Sequence, residues 1–437
     1  MHSRIIHVVF CGLLLTAVHA AQSDETPLQL ASLDKSYLST DVRIEADEVL
    51  RQLDQRLQTQ PTDYEASLLK ALLKFKSGDR AGALHILDAL IKRAPDFHLA
   101  YLVRGDLLLS QIRPVSTLGQ NSLLASLAGQ QYQTVLQNLR DEARVRLRVL
   151  NLRPYENKMP GQILALADSV KNALLVDKTN HRLYLYQRQA NGELQLQRDY
   201  YVSTGKLAGD KRIRGDLRTP EGVYFVTSWI PPSKLPDKYG IGAFPVNYPN
   251  ELDRHQGKTG NGIWLHGTES DFYSRPPLDS EGCVVLTNVD LQALKQVVTP
   301  GVTPVIITPR ATWVTKQAWR QQRQELLQAL EAWRRDWQSL DVERYLSHYA
   351  DDFWARGFNL ASWKKRKRML AKSKTYQRVR LSDISLLAYP TATEAKQDIV
   401  VARFRQSYQS NNFSSDMQKR LYLKRQGGEW RIVYEGR

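Results

Sequence analysis

The hydrophobic period of this chain changes twice, and one core cannot accommodate all three patterns. Residues 40–150 carry Leu, Ala, Gln and charged residues at helical spacing, with almost no strand signal. From Ala173 to about residue 309 the apolar residues fall into short strand-like runs cut by Gly and Pro. From Arg310 onward, helical stretches at Lys316–Ser339 and Asp341–Tyr349 precede strand-like runs at Tyr376–Leu386, Ile399–Tyr408, Arg420–Arg425 and Trp430–Tyr434. A length of 437 residues suits two or three domains, each with its own core. The expected class is multidomain: all-α at 40–150, mostly β at 170–309 and α+β at 316–437.

Within the first region, Pro61-Thr62-Asp63-Tyr64-Glu65-Ala66 recurs as Pro95-Asp96-Phe97-His98-Leu99-Ala100, a spacing of 34 residues. That period resembles a tetratricopeptide array; the alternative is an irregular helical bundle, because only two repeats are visible. Gly78-Asp79 supplies an inter-helix turn, and Ala81, Ala83, Leu84, Leu87 and Leu90 form the expected packing face of the next helix. Such a region suits docking to a protein partner or self-association. Gln111–Gly129 reads as a break, Gln130–Leu150 as a helix, and Arg153–Pro160 as a linker.

Residues 1–21 carry Arg4, an apolar run and Ala17-Val18-His19-Ala20 before Ala21, which reads as a secretory signal peptide. The run is short for a membrane span. Cys11 lies inside it and leaves with it, so an exported, periplasmic protein keeps one thiol, Cys283. Structural cysteines in an oxidising compartment come in pairs, so an unpaired one suggests use.

Cys283 follows Ser280-Glu281-Gly282 and opens the strand-like Val284-Val285-Leu286, while His266 ends the apolar run Gly262-Ile263-Trp264-Leu265. A cysteine beside valines is commonly a small core residue, and a histidine after an apolar strand is commonly a satisfied core group. The glycines favour another reading. Gly282 frees the amides of residues 282 and 283 to face a substrate carbonyl, and Gly267 opens a turn beside the imidazole. A thiol needs a nearby base to become a useful acyl nucleophile at neutral pH, and an imidazole provides one.

These residues carry a family resemblance. His266-Gly267 followed by Ser280-x-Gly282-Cys283 resembles the signature of the L,D-transpeptidase (YkuD) domain. Upstream, Leu174–Asp177 with Arg182–Tyr186 resembles its opening hairpin, and Ser203–Lys206 with Gly215-Asp216-x-Arg218-Thr219-Pro220-Glu221-Gly222-Val223-Tyr224 resembles its Gly/Thr-Pro block. The resemblance covers roughly residues 170–309. It implies a cysteine acyltransferase acting on peptidoglycan peptide stems, with Cys283 as nucleophile, His266 as base, and Gly267, Ser280 and Gly282 shaping the catalytic turn. It departs from many members in having Glu281 before Gly282, where they have a second histidine, and Val285 two residues after the cysteine, where they have an arginine. Tyr239, Phe244, Tyr248 and Trp264 are candidate walls for the substrate, with Arg218 a further candidate contact. Trp229–Pro232 and Tyr239–Pro245, dense in turns and aromatics and unlike a sheet core, read as a flap beside the cleft. The implied outcome is a 3-3 cross-link when an amine resolves the acyl-enzyme, or trimming of tetrapeptides when water does. A non-catalytic wall-binding scaffold is the reading from a different class.

The last region resembles the SnoaL-like cone of the nuclear transport factor 2 superfamily. It holds 26 Lys plus Arg against 13 Asp plus Glu, most of the chain's net charge of +16. Lys364-Lys365-Arg366-Lys367-Arg368 would suit a phosphate backbone, but an exported protein meets little nucleic acid, so an anionic wall polymer or membrane surface is the expected partner. Gly257-Lys258-Thr259 imitates the end of a phosphate loop but lacks its first glycine, Leu252 standing there. Neither a cofactor nor a metal is expected, since no zinc-type ligand spacing occurs. Thr287-x-x-Asp290 reads as a cap starting a helix that braces the cysteine strand.

Overall fold

The computed structural model describes residues 40–112, 130–151, 155, 157–390 and 399–436. The expected signal peptide and most of the break at 111–129 lie outside the described residues. Among the described residues five helices come first: α1 (Thr40–Thr59), α2 (Tyr64–Lys76), α3 (Arg80–Arg93), α4 (His98–Leu109) and α5 (Gln130–Asn151). Asp63 and Asp79 start α2 and α3 by accepting the Ala66 and Gly82 amides at 2.9 and 2.8 Å, and Gly78 makes the intervening turn at φ +92°. Ala83, Leu87 and Leu90 are buried as expected, against Leu68, Phe97 and Val103; Ala81, in the first turn of α3, faces solvent.

The end of the segment expected to be a linker is instead a strand. β1 (Lys158–Pro160) pairs with β13 (Trp313–Thr315), and β2 (Ile163–Ala165) joins a sheet built from the end of the chain. The pairing partners lie more than a hundred residues away, so local composition gave no sign of them.

The central domain is built on a five-stranded sheet: β3 (Asn172–Asp177), β4 (Arg182–Arg188), β5 (Leu194–Tyr201), β7 (Gly222–Phe225) and β12 (Pro304–Thr308), ordered β5-β4-β3-β12-β7. Leu174, Val176, Val305 and Ile307 pack on one side against the cysteine-bearing layer, while Ala173, Leu175 and Ile306 pack on the other against the C-terminal domain. Burial on both faces explains the continuous apolar runs in β3 and β12. A smaller three-stranded sheet, ordered β11-β9-β8, comprises β8 (Ala243–Pro245), β9 (Trp264–His266) and β11 (Val284–Val285). The Ala243–Pro245 half of the expected flap is therefore sheet. Its partner β9 supplies the pairing that the turn-rich sequence conceals. β6 (Thr204–Gly205) pairs with β10 (Leu278–Ser280), and two helices complete the domain, α6 (Glu251–His255) and α7 (Asn288–Lys295). Thr287 caps α7 as expected, accepting the Asp290 amide at 3.1 Å.

The C-terminal domain wraps α8 (Lys316–Gln338), α9 (Val342–Ser347) and α10 (Leu360–Ala371) against β14 (Tyr349–Ala355), β15 (Phe358–Asn359), β16 (Gln377–Ala388), β17 (Ile399–Ser410), β18 (Ser414–Gln426) and β19 (Glu429–Gly436). The sheet order is β15-β14-β19-β18-β17-β16-β2. The basic run forms α10, started by a reciprocal cap between Asn359 and Ser362. It is not a uniform solvated face. Lys367 turns inward over the Trp363 ring at 4.4 Å, where burial pushes its ammonium down to about 8.

Candidate functional site

Parallel pairing of β11 with β9 sets Val284 against Leu265 and Val285 against His266. Alternation along strands sends Leu265 and Val284 into the core, both fully buried, and places His266 and Val285 on the opposite face. Cys283, one residue ahead of β11, continues that register to stand beside Trp264. The register thus sets His266 and Cys283 diagonally on one face of the sheet.

The backbone fixes both groups. His266 Nδ1 lies 2.7 Å from the Gly267 carbonyl, and a carbonyl only accepts, so Nδ1 carries the proton and Nε2 keeps its lone pair. The Tyr239 ring packs edge-on to the imidazole at 4.9 Å and against Trp264 at 5.0 Å. The Cys283 Sγ donates to the Gly262 carbonyl at 3.4 Å, and the Trp264 backbone amide also bonds the sulfur.

Burial sets the resting charge states. Loss of solvent drives His266 down to about 4, Arg275 and Lys238 adding in the same direction against the Gly267 hydrogen bond. Burial also pushes the Cys283 thiol up to about 11, against the Trp264 amide and Arg275, which favour the thiolate. A nearby imidazole therefore does not by itself make the thiolate the resting form. The pair rests as neutral thiol and neutral imidazole, because both sit where ions are poorly solvated. A direct check follows. Iodoacetamide alkylation of Cys283 should climb about tenfold per pH unit from pH 7 to 9.5 without levelling; a plateau beginning near neutral pH would reveal a preformed ion pair instead.

Gly282 earns its place by geometry. Its φ is +128°, and a Cβ would stand 2.7 Å from the Arg218 carbonyl. Its amide is not free for an oxyanion, contrary to expectation: it donates to Ser280 Oγ at 3.1 Å, and that hydroxyl donates to the Cys283 carbonyl at 2.6 Å. Ser280 is thus a clamp on the cysteine turn, and of the two expected donors only the Cys283 amide is left for an oxyanion. Gly267 is likewise fixed, since a Cβ there would lie 2.0 Å from Asn288 Oδ1.

Of the expected substrate walls, Trp264 and Tyr239 are half-buried beside the pair. Phe244 and Tyr248 are not walls. Phe244 pairs with Leu265 on the core side of the sheet and packs on Trp229 at 4.6 Å. Tyr248 is buried near Tyr224, its hydroxyl donating to the Thr259 carbonyl at 3.0 Å. Arg218 reaches the cysteine turn through its carbonyl, while its guanidinium lies beside Gly209. Lys258 is held by Asp210 at 2.8 Å and Asp253 at 2.9 Å, a structural role for the phosphate-loop mimic.

Three contributors escaped the sequence reading. Asn288 donates to the Thr268 carbonyl at 3.0 Å and accepts the Ile241 amide at 3.2 Å, stapling the flap to the histidine turn. Arg275 and Lys238 bring positive charge to the cleft. The sole sequence signal for Asn288 was its place directly after the cap Thr287.

Two family models match the chain, and two solved structures resemble it over most of their length. The model of the L,D-transpeptidase catalytic domain, YkuD, matches residues 171–307, and that of the Cds6 C-terminal NTF2-like domain matches residues 325–436. The solved structure of Bd1075 from Bdellovibrio bacteriovorus is 30% identical, with a TM-score of 0.56 over 64% of this chain and 97% of that one. The helical cell shape determining protein Pgp2 from Campylobacter jejuni is 29% identical, with a TM-score of 0.54 over 63% of this chain and 96% of that one. No curated protein matches the chain.

Proposed function

We propose, from the premise that the chain belongs to the L,D-transpeptidase (YkuD) domain family, that Cys283 is acylated by peptidoglycan tetrapeptide stems in the cell envelope. The observation that carries this reading is the Nδ1–Gly267 bond, which leaves Nε2 of a neutral imidazole as a base on the face that holds the thiol.

With both groups neutral at rest, proton transfer accompanies attack. Nε2 takes the thiol proton as the sulfur adds to the carbonyl of the third stem residue, a diamino acid joined to D-alanine. The Cys283 amide supports the oxyanion. The imidazolium returns its proton to the departing D-alanine amine, leaving a thioester. Lys238, in the flap, supplies a cation for a stem carboxylate, the task for which Val285 is unsuited. Resolution by the side-chain amine of a neighbouring stem completes a 3-3 cross-link.

A specific observation favours hydrolysis as the second reading. Val285 is 2% exposed and locked between Ser203 and β9, so this side of the cleft offers no cation to seat an acceptor's carboxylate, and water needs none. Incubation with tetrapeptide muropeptides distinguishes the outcomes. Cross-linked dimers lacking one D-alanine are the expected product; monomeric tripeptide alone rejects transfer in favour of trimming; unchanged tetrapeptide rejects both. A role in cell shape, as for Pgp2, accords with either reaction.

A further inference from the structure

The loop joining His266 to Cys283 does not rest on its own domain. At its centre Tyr273 is 6% exposed and belongs to the hydrophobic core of the helical unit, its ring 4.2 Å from Phe97 and 5.7 Å from Tyr64. The Tyr273 amide donates to the Asp96 carbonyl at 3.2 Å, and Ser274 Oγ donates to Glu142 on α5 at 2.6 Å. Next in sequence, Arg275 grips Glu269 through two bonds of 3.0 and 2.7 Å, and Nη2 also donates to the Lys238 carbonyl in the flap at 2.9 Å. Arg275 is the larger of two cationic influences favouring a Cys283 thiolate, ahead of Lys238. The helices, which lie outside both matched domains, therefore hold the segment that places this cation and the flap.

We propose that the N-terminal helical unit is a positioning element of the catalytic site, acting through Tyr273, which seats Arg275 and the flap relative to Cys283. A loop anchored at its midpoint on a second rigid unit loses the freedom to carry Arg275 away from the cleft. Tyr273 is a positioning residue, since it touches neither the sulfur nor the imidazole. The proposal rests on Cys283 being the nucleophile, but alkylation of the thiol reads the geometry independently of any wall substrate.

The test compares full-length wild type with Tyr273→Phe, Tyr273→Ala, Phe97→Leu, Arg275→Gln and the Tyr273→Ala/Arg275→Gln double variant. Each is followed by iodoacetamide alkylation of Cys283 against pH, by kcat and KM on tetrapeptide muropeptides, and by thermal melting. Tyr273→Ala is expected to lower kcat about tenfold or more and to move the alkylation profile to higher pH. Tyr273→Phe, keeping the ring contacts, should behave as wild type. Phe97→Leu loosens the same seat from the helix side and should shift the profile the same way, so a Tyr273→Ala that fails to fold leaves the proposal testable. The double variant should be no slower than the slower single variant, since both substitutions break one chain of contacts. Wild-type alkylation and kcat in folded Tyr273→Ala or Phe97→Leu, or fully multiplicative losses in the double variant, would overturn it. Failure of the acyltransferase reading looks different: wild type would leave muropeptides unchanged while the alkylation shifts persisted.

Discussion

Cys283→Ala is expected to abolish turnover of tetrapeptide stems, a loss of about 10⁴-fold or more, while the protein melts within a few degrees of wild type. The asymmetry follows from what the side chain does. Its sulfur makes a long hydrogen bond to the Gly262 carbonyl, accepts from the Trp264 amide and is half-buried, so removing it costs little packing. The turn that presents it is held by Ser280 Oγ through the Gly282 amide and the Cys283 carbonyl, and these bonds survive the substitution. No other thiol remains among the described residues to take its place. Intact mass after exposure to a carbapenem should show one adduct on wild type and none on the variant, because the ring-opened β-lactam is held as a thioester on the same sulfur. Wild-type turnover by Cys283→Ala would remove covalent catalysis from the account altogether.

The part of the site legible in the sequence was the part enforced by backbone sterics. Gly282 and Gly267 stand where any side chain would strike the Arg218 carbonyl or Asn288, so the motif spells out the turn. Thr287 announced α7 because a cap is a local signal. What escaped was set by distant partners. The aromatics Phe244 and Tyr248 looked available in a turn-rich segment, but β9 recruits the first into the core face and the Thr259 carbonyl fixes the second. β1 read as linker because its partner β13 lies more than a hundred residues further along the chain. The protonation states escaped too. Proximity of an imidazole to a thiol leaves the resting charges open, and burial, absent from a sequence, decides that a neutral pair is preferred. Tyr273 was one more polar-loop aromatic until Phe97 and Tyr64 were seen around it.

Glu65→Ala should destabilise attachment of the helical unit by about 3–5 kcal/mol, the other large effect. Glu65 sits on α2 but serves three elements. It accepts from Arg146 on α5 at 2.7 Å and from Arg182 on β4 at 2.9, 3.1 and 3.0 Å; Arg182 in turn bonds Asp199 on β5, and Arg146 bonds Glu142. Both arginines are 1% exposed, and the Arg146 guanidinium also stacks 4.0 Å over the Tyr201 ring. Burial alone would raise the Glu65 carboxyl, but Arg182 and Arg146 outweigh it and hold the group well below the usual carboxylate range. Removing the anion leaves two buried cations with too little counter-charge, which costs far more than an exposed pair would. The sign with pH follows from the lowered value. The stabilisation is complete above the ordinary carboxylate range and is lost as pH falls toward the depressed one, so the gap between wild type and variant is widest near neutral pH and narrows in acid. Urea unfolding at pH 7 and pH 3.5 reads this gap, and limited proteolysis tells whether residues 40–151 become susceptible before the sheets do. Equal stability of Glu65→Ala and wild type at pH 7 would mean that the apolar contacts of Tyr273 and Phe97, not the buried charges, hold the helices to the catalytic domain.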